Sequence, residues 1–203
     1  MCGRYYVDDD TAREIEKLVR QVDEKMWRKT SSCKVEVAAK DIHPTETAPI
    51  LVFSDSSLEC RWQRWGFPGF QKGKVIFNAR SESAMEKPMF RDAVLHHRVV
   101  IPAAGFYEWD CNKQKHTFSR ESGDPLFMAG CYRKYEDGDR FVILTTQANA
   151  SMEPVHDRMP LILEREEAVD WLLKDDAARK LLCKSPPLLE RRTEYEQMSL
   201  FDC

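Results

Sequence analysis

The sequence predicts an α+β fold, a mostly antiparallel, barrel-like pair of sheets flanked by helices in a single domain. Three observations predict it. Strand-like runs greatly outnumber helical ones, and no regular helical crossovers separate them, which argues against a doubly wound parallel sheet. With 203 residues, 42% of them hydrophobic and 32% charged, the chain can enclose one substantial core without staples.

The elements follow in order. A short strand-like "CGRYYV" leads into "DDDTAREIEKLVRQVDEK", a helix with Ile15, Leu18, Val19 and Val22 on one face and a capping box at Thr11 and Glu14. The stretch "SSCKVEVAAKDIHPTETAPILVFS", punctuated by Pro44 and Pro49, reads as irregular loop feeding a hairpin of "PILVFS" and "LECRWQRWGF". Further strands are expected at "KVIFNAR", "HRVVIPAAGFYEW", "KHTFSR", "PLFMAGCYRKY", "RFVILTTQA" and "MPLILE", where β-branched and aromatic residues are bounded by Gly, Asp and Pro. "SESAMEKPMFRDAVLHH" is helical near its end, and "EREEAVDWLLKDDAARKLLC" gives two short helices. Pro186 and Pro187 end the packed domain, so residues 1–185 form the domain and 186–203 a flexible C-terminal tail.

Composition narrows the function classes. A net charge of −3 carries no global basic signature, so any nucleic-acid site must be a local cluster of Arg and Lys. The seven cysteines are irregularly spaced and include no C-x-x-C pair, so neither a disulfide framework nor a metal site is expected, and no cofactor is implied. No run approaches the roughly 18 apolar residues of a membrane span. The acidic start at Asp8, Asp9 and Asp10 is unlike a signal peptide, and a cytoplasmic monomer is expected.

Four stretches place polar groups inside otherwise buried-looking sequence: "CGRY", "FNARSE", "IPAAGFYEW" and "MEPVHDRMPLIL". Removal of Met1 would leave Cys2 with an amine and a thiol on adjacent carbons, a pair that traps an aldehyde as an imine and then as a five-membered thiazolidine. Reference pKa values of about 7.7 to 8.0 for the amine and about 8.5 for the thiol imply little need for activation. The bland alternative is a frayed terminus. Arg4 offers a cation two residues on, suited to favour the thiolate or to bind phosphate. Strand alternation points Glu108 away from Tyr107 and Trp109. On an apolar wall it is a general acid/base; on a solvated face it is an ordinary strand glutamate. His156 lies in a turn before an apolar strand, and Arg158 either grips a phosphate or carboxylate or joins Asp157 in a surface ion pair. Asn78 can orient a substrate, with Arg80 two residues on to grip a phosphate, or both make turn hydrogen bonds. In "RWQRWGFPGF", Trp62, Trp65, Phe67 and Phe70 interleave with Arg61, Arg64 and Lys72, as base stacking beside a phosphate track requires, unless the tryptophans are core.

Together the stretches "MCGRY", "HPTETAPIL", "RWGFPGF", "FNARSE", "RVVIPAAGFYEW", "FMAGCY" and "HDRMPLIL", in that order, resemble the SRAP family, the SOS response-associated peptidases understood as abasic-site processing proteins. The resemblance implies that mature Cys2 attacks the ring-opened aldehyde of an abasic site in single-stranded DNA and forms a stable thiazolidine crosslink. It implies that Asn78 orients Cys2, that Glu108 shuttles protons, and that His156 assists imine chemistry. Arg4, Arg80 and Arg158 would contact flanking phosphates, and Pro44, Trp65 and Trp109 would wedge open the neighbouring bases. Strand scission through the imine is an implied side activity, and autocatalytic loss of Met1 another. The chain departs from the family's tryptophan-rich pattern after "RWG", where it has "FPGFQKG". In the tail, Gln197, Leu200 and Phe201 of "QMSLF" resemble a pentapeptide that docks on the replicative sliding clamp, which would bring the protein to damaged DNA in the nucleoid. Two rival functions remain open: an N-terminal-nucleophile cysteine peptidase using Cys2, His156 and Glu108, and a non-covalent module for single-stranded DNA.

Overall fold

A computed structural model describes residues 2–25, 39–54 and 57–193 of the chain. Strand β1 (Arg4–Val7) buries Tyr5 and Val7 and leaves Arg4 and Tyr6 on its other face, the alternation of a half-covered sheet. Helix α1 (Asp9–Lys25) buries Ile15, Leu18 and Val19 at helical spacing. Its cap lies one turn earlier than the sequence predicts. Asp8 Oδ1 accepts the Thr11 N–H at 2.8 Å and Thr11 Oγ1 accepts the Asp8 N–H at 3.4 Å, because Asp8 sits just ahead of the helix and reaches its unpaired amides first. Glu14 is drawn instead to Lys17 at 2.6 Å and to Arg165.

The chain continues through β2 (Lys40–Ile42), β3 (Thr47–Ser54), β4 (Ser57–Trp65), β5 (Phe67–Pro68), β6 (Val75–Ile76), β7 (Asn78–Arg80), α2 (Ser81–Ala84) and α3 (Pro88–His96). The expected β3–β4 hairpin forms, in register from Thr47↔Arg64 to Ser54↔Ser57. "HRVVIPAAGFYEW" is two strands, β8 (Arg98–Ala103) and β9 (Gly105–Trp109). Then come β10 (Lys115–Ser119), β11 (Leu126–Tyr135), β12 (Gly138–Gln147), β13 (Arg158–Pro160), β14 (Ile162–Leu163), α4 (Arg165–Leu173), α5 (Asp175–Leu181) and β15 (Glu190–Thr193).

Two main sheets carry the fold. The larger runs β13-β12-β4-β3-β8-β11-β14, with β7 beside β12, and a further β11–β12 pairing closes β12, β4, β3, β8 and β11 into a five-stranded barrel. Its pairs are antiparallel except where β12 runs parallel to β4 and β7. The second sheet, β15-β10-β9-β1-β2, is antiparallel throughout. The α+β, barrel-like class predicted from the strand count is the one observed. The chain passes between the sheets at Ala104, and only glycine fits next. A Cβ on Gly105 would lie 2.5 Å from the Phe118 carbonyl oxygen and 2.7 Å from the Tyr6 hydroxyl.

The predicted boundary at residue 186 is too early. Asn149 Nδ2 donates to the carbonyls of Pro186 and Pro187 at 3.0 and 2.9 Å, Leu189 is buried, and β15 pairs with β10 from Ser119↔Glu190 to His116↔Thr193. The prolines end helical structure, but their carbonyls still accept hydrogen bonds and the chain returns to a sheet edge. Among the described residues no helix is long and apolar enough to cross a membrane, and no three His, Cys, Asp or Glu side chains gather to hold a metal.

Candidate active site

Cys2, just ahead of β1, is no frayed end: it is 1% exposed. Asn78 Nδ2 donates to its carbonyl at 2.9 Å, tying the start of β1 to β7 across 76 residues of sequence. The thiol is directed at the Arg4 carbonyl, 3.8 Å away. Burial first, and then the Glu108 carboxylate, pushes this thiol well above its usual range. The expectation of a thiol needing little activation is thereby corrected. A buried thiol beside a carboxylate stays protonated and must give up its proton as it reacts.

Glu108 on β9 is buried, while Tyr107 is half-buried and Trp109 is 38% exposed, so β9 alternates as predicted. Its Oε1 lies 3.6 Å from His156 Nε2, on the loop before β13. The Arg158 backbone N–H donates to His156 Nδ1 at 2.9 Å, and that fixed donor places the proton of the neutral ring on Nε2, facing Glu108. Asp157, 2.8 Å from Nδ1, can take the place of the Arg158 N–H when the ring gains a second proton. Glu108 and His156 thus form a carboxylate–imidazole pair able to hold or release a proton.

A cavity of about 330 Å³ opens against this pair, lined by Gly3, Arg4, His43, Glu108, Trp109 and His156. Arg4 stands 3.7 Å from Asp41 and its guanidinium lies 5.3 Å from the centre of the Trp109 ring. The His43–Glu46 turn forms one wall. Glu46 Oε2 accepts the His43 N–H at 2.8 Å, Thr45 N–H donates to the Trp65 carbonyl at 2.8 Å, and Trp65 N–H donates to that of Glu46 at 2.8 Å. These bonds hold Thr45 at φ 80°, which costs a β-branched residue roughly 1–2 kcal/mol. Pro44 is half-buried in the same turn.

A second cavity, of about 610 Å³ and mostly apolar, adjoins the first site through Asn78. Phe70, Ile76, Arg80, Met89 and Phe90 line it, with Arg80 exposed and Phe70 91% exposed. The Asn78 amide oxygen is buried and has no hydrogen-bond partner among the described residues.

The structure therefore gathers Cys2, Asn78, Glu108 and His156, with Arg4, Trp109 and Pro44 around them and Arg80 next door. Two predicted contacts are corrected. Trp65 has zero exposure; its Nε1 donates to the Phe77 carbonyl at 2.8 Å and its ring stacks on Phe141, so no face remains for a base. Arg158 is buried and grips both Glu82 oxygens, at 2.6 and 2.9 Å, and the Thr145 carbonyl at 2.7 Å, so its guanidinium is committed to the fold rather than to phosphate. Sequence reasoning missed His43 as a wall residue, although "HPTE" contained it. Phe70, grouped from the sequence with the candidate stacking aromatics, lies in the turn-rich "GFQKG", where an apolar residue has little reason to be buried, and it stays exposed. Gln197, Leu200 and Phe201 lie outside the described residues.

A family model described as SOS response associated peptidase (SRAP) matches residues 1–199. The chain is similar to "Abasic site processing protein YoqW" of Bacillus subtilis (strain 168), 33% identical over 146 residues, and spans 65% of that protein and 65% of its own length in the match. It is 26% identical over 188 residues to "Abasic site processing protein YedK" of Escherichia coli (strain K12), covering 89% of this chain and 83% of the relative. A crystal structure of a Bordetella bronchiseptica protein superposes with a TM-score of 0.73 at 26% identity, covering 96% of this chain and 100% of the other.

Proposed function

The chain belongs to the SOS response-associated peptidase (SRAP) family, and from that premise we propose that it processes abasic sites in single-stranded DNA by closing a thiazolidine on Cys2. One observation carries this function: a buried thiol, anchored through its own carbonyl by Asn78, stands under the field of a buried carboxylate that is paired with an imidazole. A thiol placed so is of little use as a free nucleophile and well placed for an internal proton transfer.

Hydrolysis of the Met1–Cys2 bond frees the amine. That amine adds to C1′ of the opened sugar, and the resulting hydroxyl leaves as water with a proton from the Glu108–His156 pair, which regains it from the iminium nitrogen to leave the imine. The Cys2 sulfur then adds to the imine carbon, its proton passing by way of Glu108 to the nitrogen, which closes the ring. Asn78 holds the Cys2 carbonyl, and its amide oxygen, without a partner among the described residues, accepts a hydrogen bond from the sugar. When closure fails, the imine acidifies the adjacent sugar carbon and the strand breaks by β-elimination.

Arg4 and Arg80 are the phosphate contacts, Trp109 and Pro44 meet the flanking bases, and exposed Phe70 takes the stacking role expected of Trp65. The apolar cavity beneath Phe70 suits a neighbouring base turned out of its stack.

The test is incubation with single-stranded DNA carrying one abasic site, followed by a denaturing gel and intact mass. A denaturant-stable band is expected. Cys2→Ala should abolish it, as should a residue before Cys2 that blocks release of the amine. A stable band from Cys2→Ala overturns the proposal, and binding that never survives denaturation and weakens with salt favours the non-covalent module. We further propose that Gln197, Leu200 and Phe201 dock on a sliding clamp, which would recruit the protein to damaged DNA in the nucleoid; a peptide of residues 194–203 that fails to compete with a clamp ligand refutes this.

A further inference from the structure

We propose that His43 and Arg4 together clamp one phosphate next to the lesion, with His43 as a pH-dependent half of the clamp. Abasic single-stranded DNA as the substrate is the premise on which this rests.

β1 and β2 pair antiparallel with Tyr6↔Asp41 and Tyr5↔Ile42, and Arg4 and His43, each one residue past that last pair, line the same cavity. Arg4 lies on the face of Tyr6 and Tyr107, turned away from buried Tyr5 and Glu108.

The lining of the cavity therefore divides by origin. Glu108 reaches it from the inner side of β9 and couples to His156, whereas Arg4 and Trp109 reach it from the outer side, next to solvent, and half-buried His43 lines it from the turn after β2. Proton transfer belongs with the inner groups and the charged backbone of the strand with the outer ones. Among the described residues the His43 imidazole has no hydrogen bond or ion pair, while its backbone is fixed by Glu46 and by the strained Thr45 turn. A fixed backbone carrying an uncommitted ring at a cavity rim is a preorganised ligand group.

The charges around His43 determine when it acts. From β1 comes Arg4 and from the loop before β13 comes His156, both opposing its protonation; from β2 comes Asp41, from its own turn Glu46, and from β9 Glu108, all favouring it. Asp41 is engaged with Arg4, and Glu46 with the His43 amide. A phosphate between Arg4 and His43 relieves the repulsion between the two cations and draws a proton onto the ring. Binding then takes up a proton, and affinity rises as pH falls.

The experiment uses the full chain with Cys2→Ala to prevent crosslinking and an abasic single-stranded oligonucleotide as ligand. Affinity is measured at fixed salt at pH 6 and pH 8, with and without His43→Gln. Arg4 still holds the shared phosphate in the variant, so the clamp is read as affinity. His43→Gln should weaken binding on the order of tenfold at pH 6, the loss of one charge-assisted hydrogen bond, and leave it unchanged at pH 8. His43→Arg should give at pH 8 the affinity that the parent gives at pH 6. Equal affinities for parent and His43→Gln at pH 6, or an equal loss at both pH values, overturns the clamp. Absence of binding by the Cys2→Ala parent at either pH instead refutes abasic DNA as the substrate.

Discussion

Trp62 and Trp65 differ by three positions on one strand, and in a strand an odd spacing puts two side chains on opposite faces. Trp62 is 49% exposed and Trp65 fully buried. The letters "RWQRW" require one of them to face inward and do not say which, since that depends on where the barrel lies. Arg158 makes the same point with charge. Its partner Glu82 is 76 residues away, and the resulting bidentate pair withdraws a residue that looked like a phosphate ligand. The Arg158 guanidinium, by its hydrogen bonds first, holds the Glu82 carboxyl below the usual range against the opposing effect of burial. A carboxylate with a lowered folded pKa contributes stability above its unfolded pKa and loses it as pH falls through the folded value. Glu82→Gln should therefore lower stability by about 2 kcal/mol at pH 7, because buried Arg158 loses its anionic partner. Thermal melts should show that gap closing as pH falls below the usual carboxylate range. A gap that persists there would mean the pair is not its source.

Strand β15 carries no strand signature in the sequence. "LERRTEY" follows two prolines and is mostly charged, which suits a tail and equally suits an edge strand, where charge discourages pairing with other chains. What distinguishes the two is the exposed edge of β10 waiting to be paired and the side chain of Asn149 waiting to hold Pro186 and Pro187. A chain ending at Ser185 should melt about 6–12 °C below one ending at Thr193. The loss combines burial of Leu189, the Asn149 hydrogen bonds and four ladder positions, on the order of 3 kcal/mol. Equal melting temperatures would restore residue 186 as the boundary. The helix cap misread at Thr11 has a local cause: Asp8 and Thr11 are as well spaced for a box as Thr11 and Glu14, and the chain begins its helix where the sheet releases it.

Across the whole molecule, the site is a junction of the two sheets: Cys2, Arg4 and Glu108 come with the second sheet, Asn78 with the barrel sheet, and His156 with the loop that leads back into it. The net charge of −3 carries no global signature of a nucleic-acid partner, and the cations proposed to meet phosphate, Arg4 and Arg80, are few and local. The sequence by itself determined the class of fold, through the excess of alternating runs over helices. It also singled out Cys2, Asn78, Glu108 and His156 as candidates, through residue types that stand out against apolar surroundings. Tertiary structure alone decided which aromatics face the solvent, that Arg158 is committed to an ion pair inside the fold, that the thiol is buried near a carboxylate, and that His43 and Arg4 line one cavity. The physical reason is range. Periodicity and propensity act over a few residues and leave a signature in the string, whereas burial and charge pairing depend on neighbours up to 76 positions away, which only the closed barrel and its companion sheet bring together.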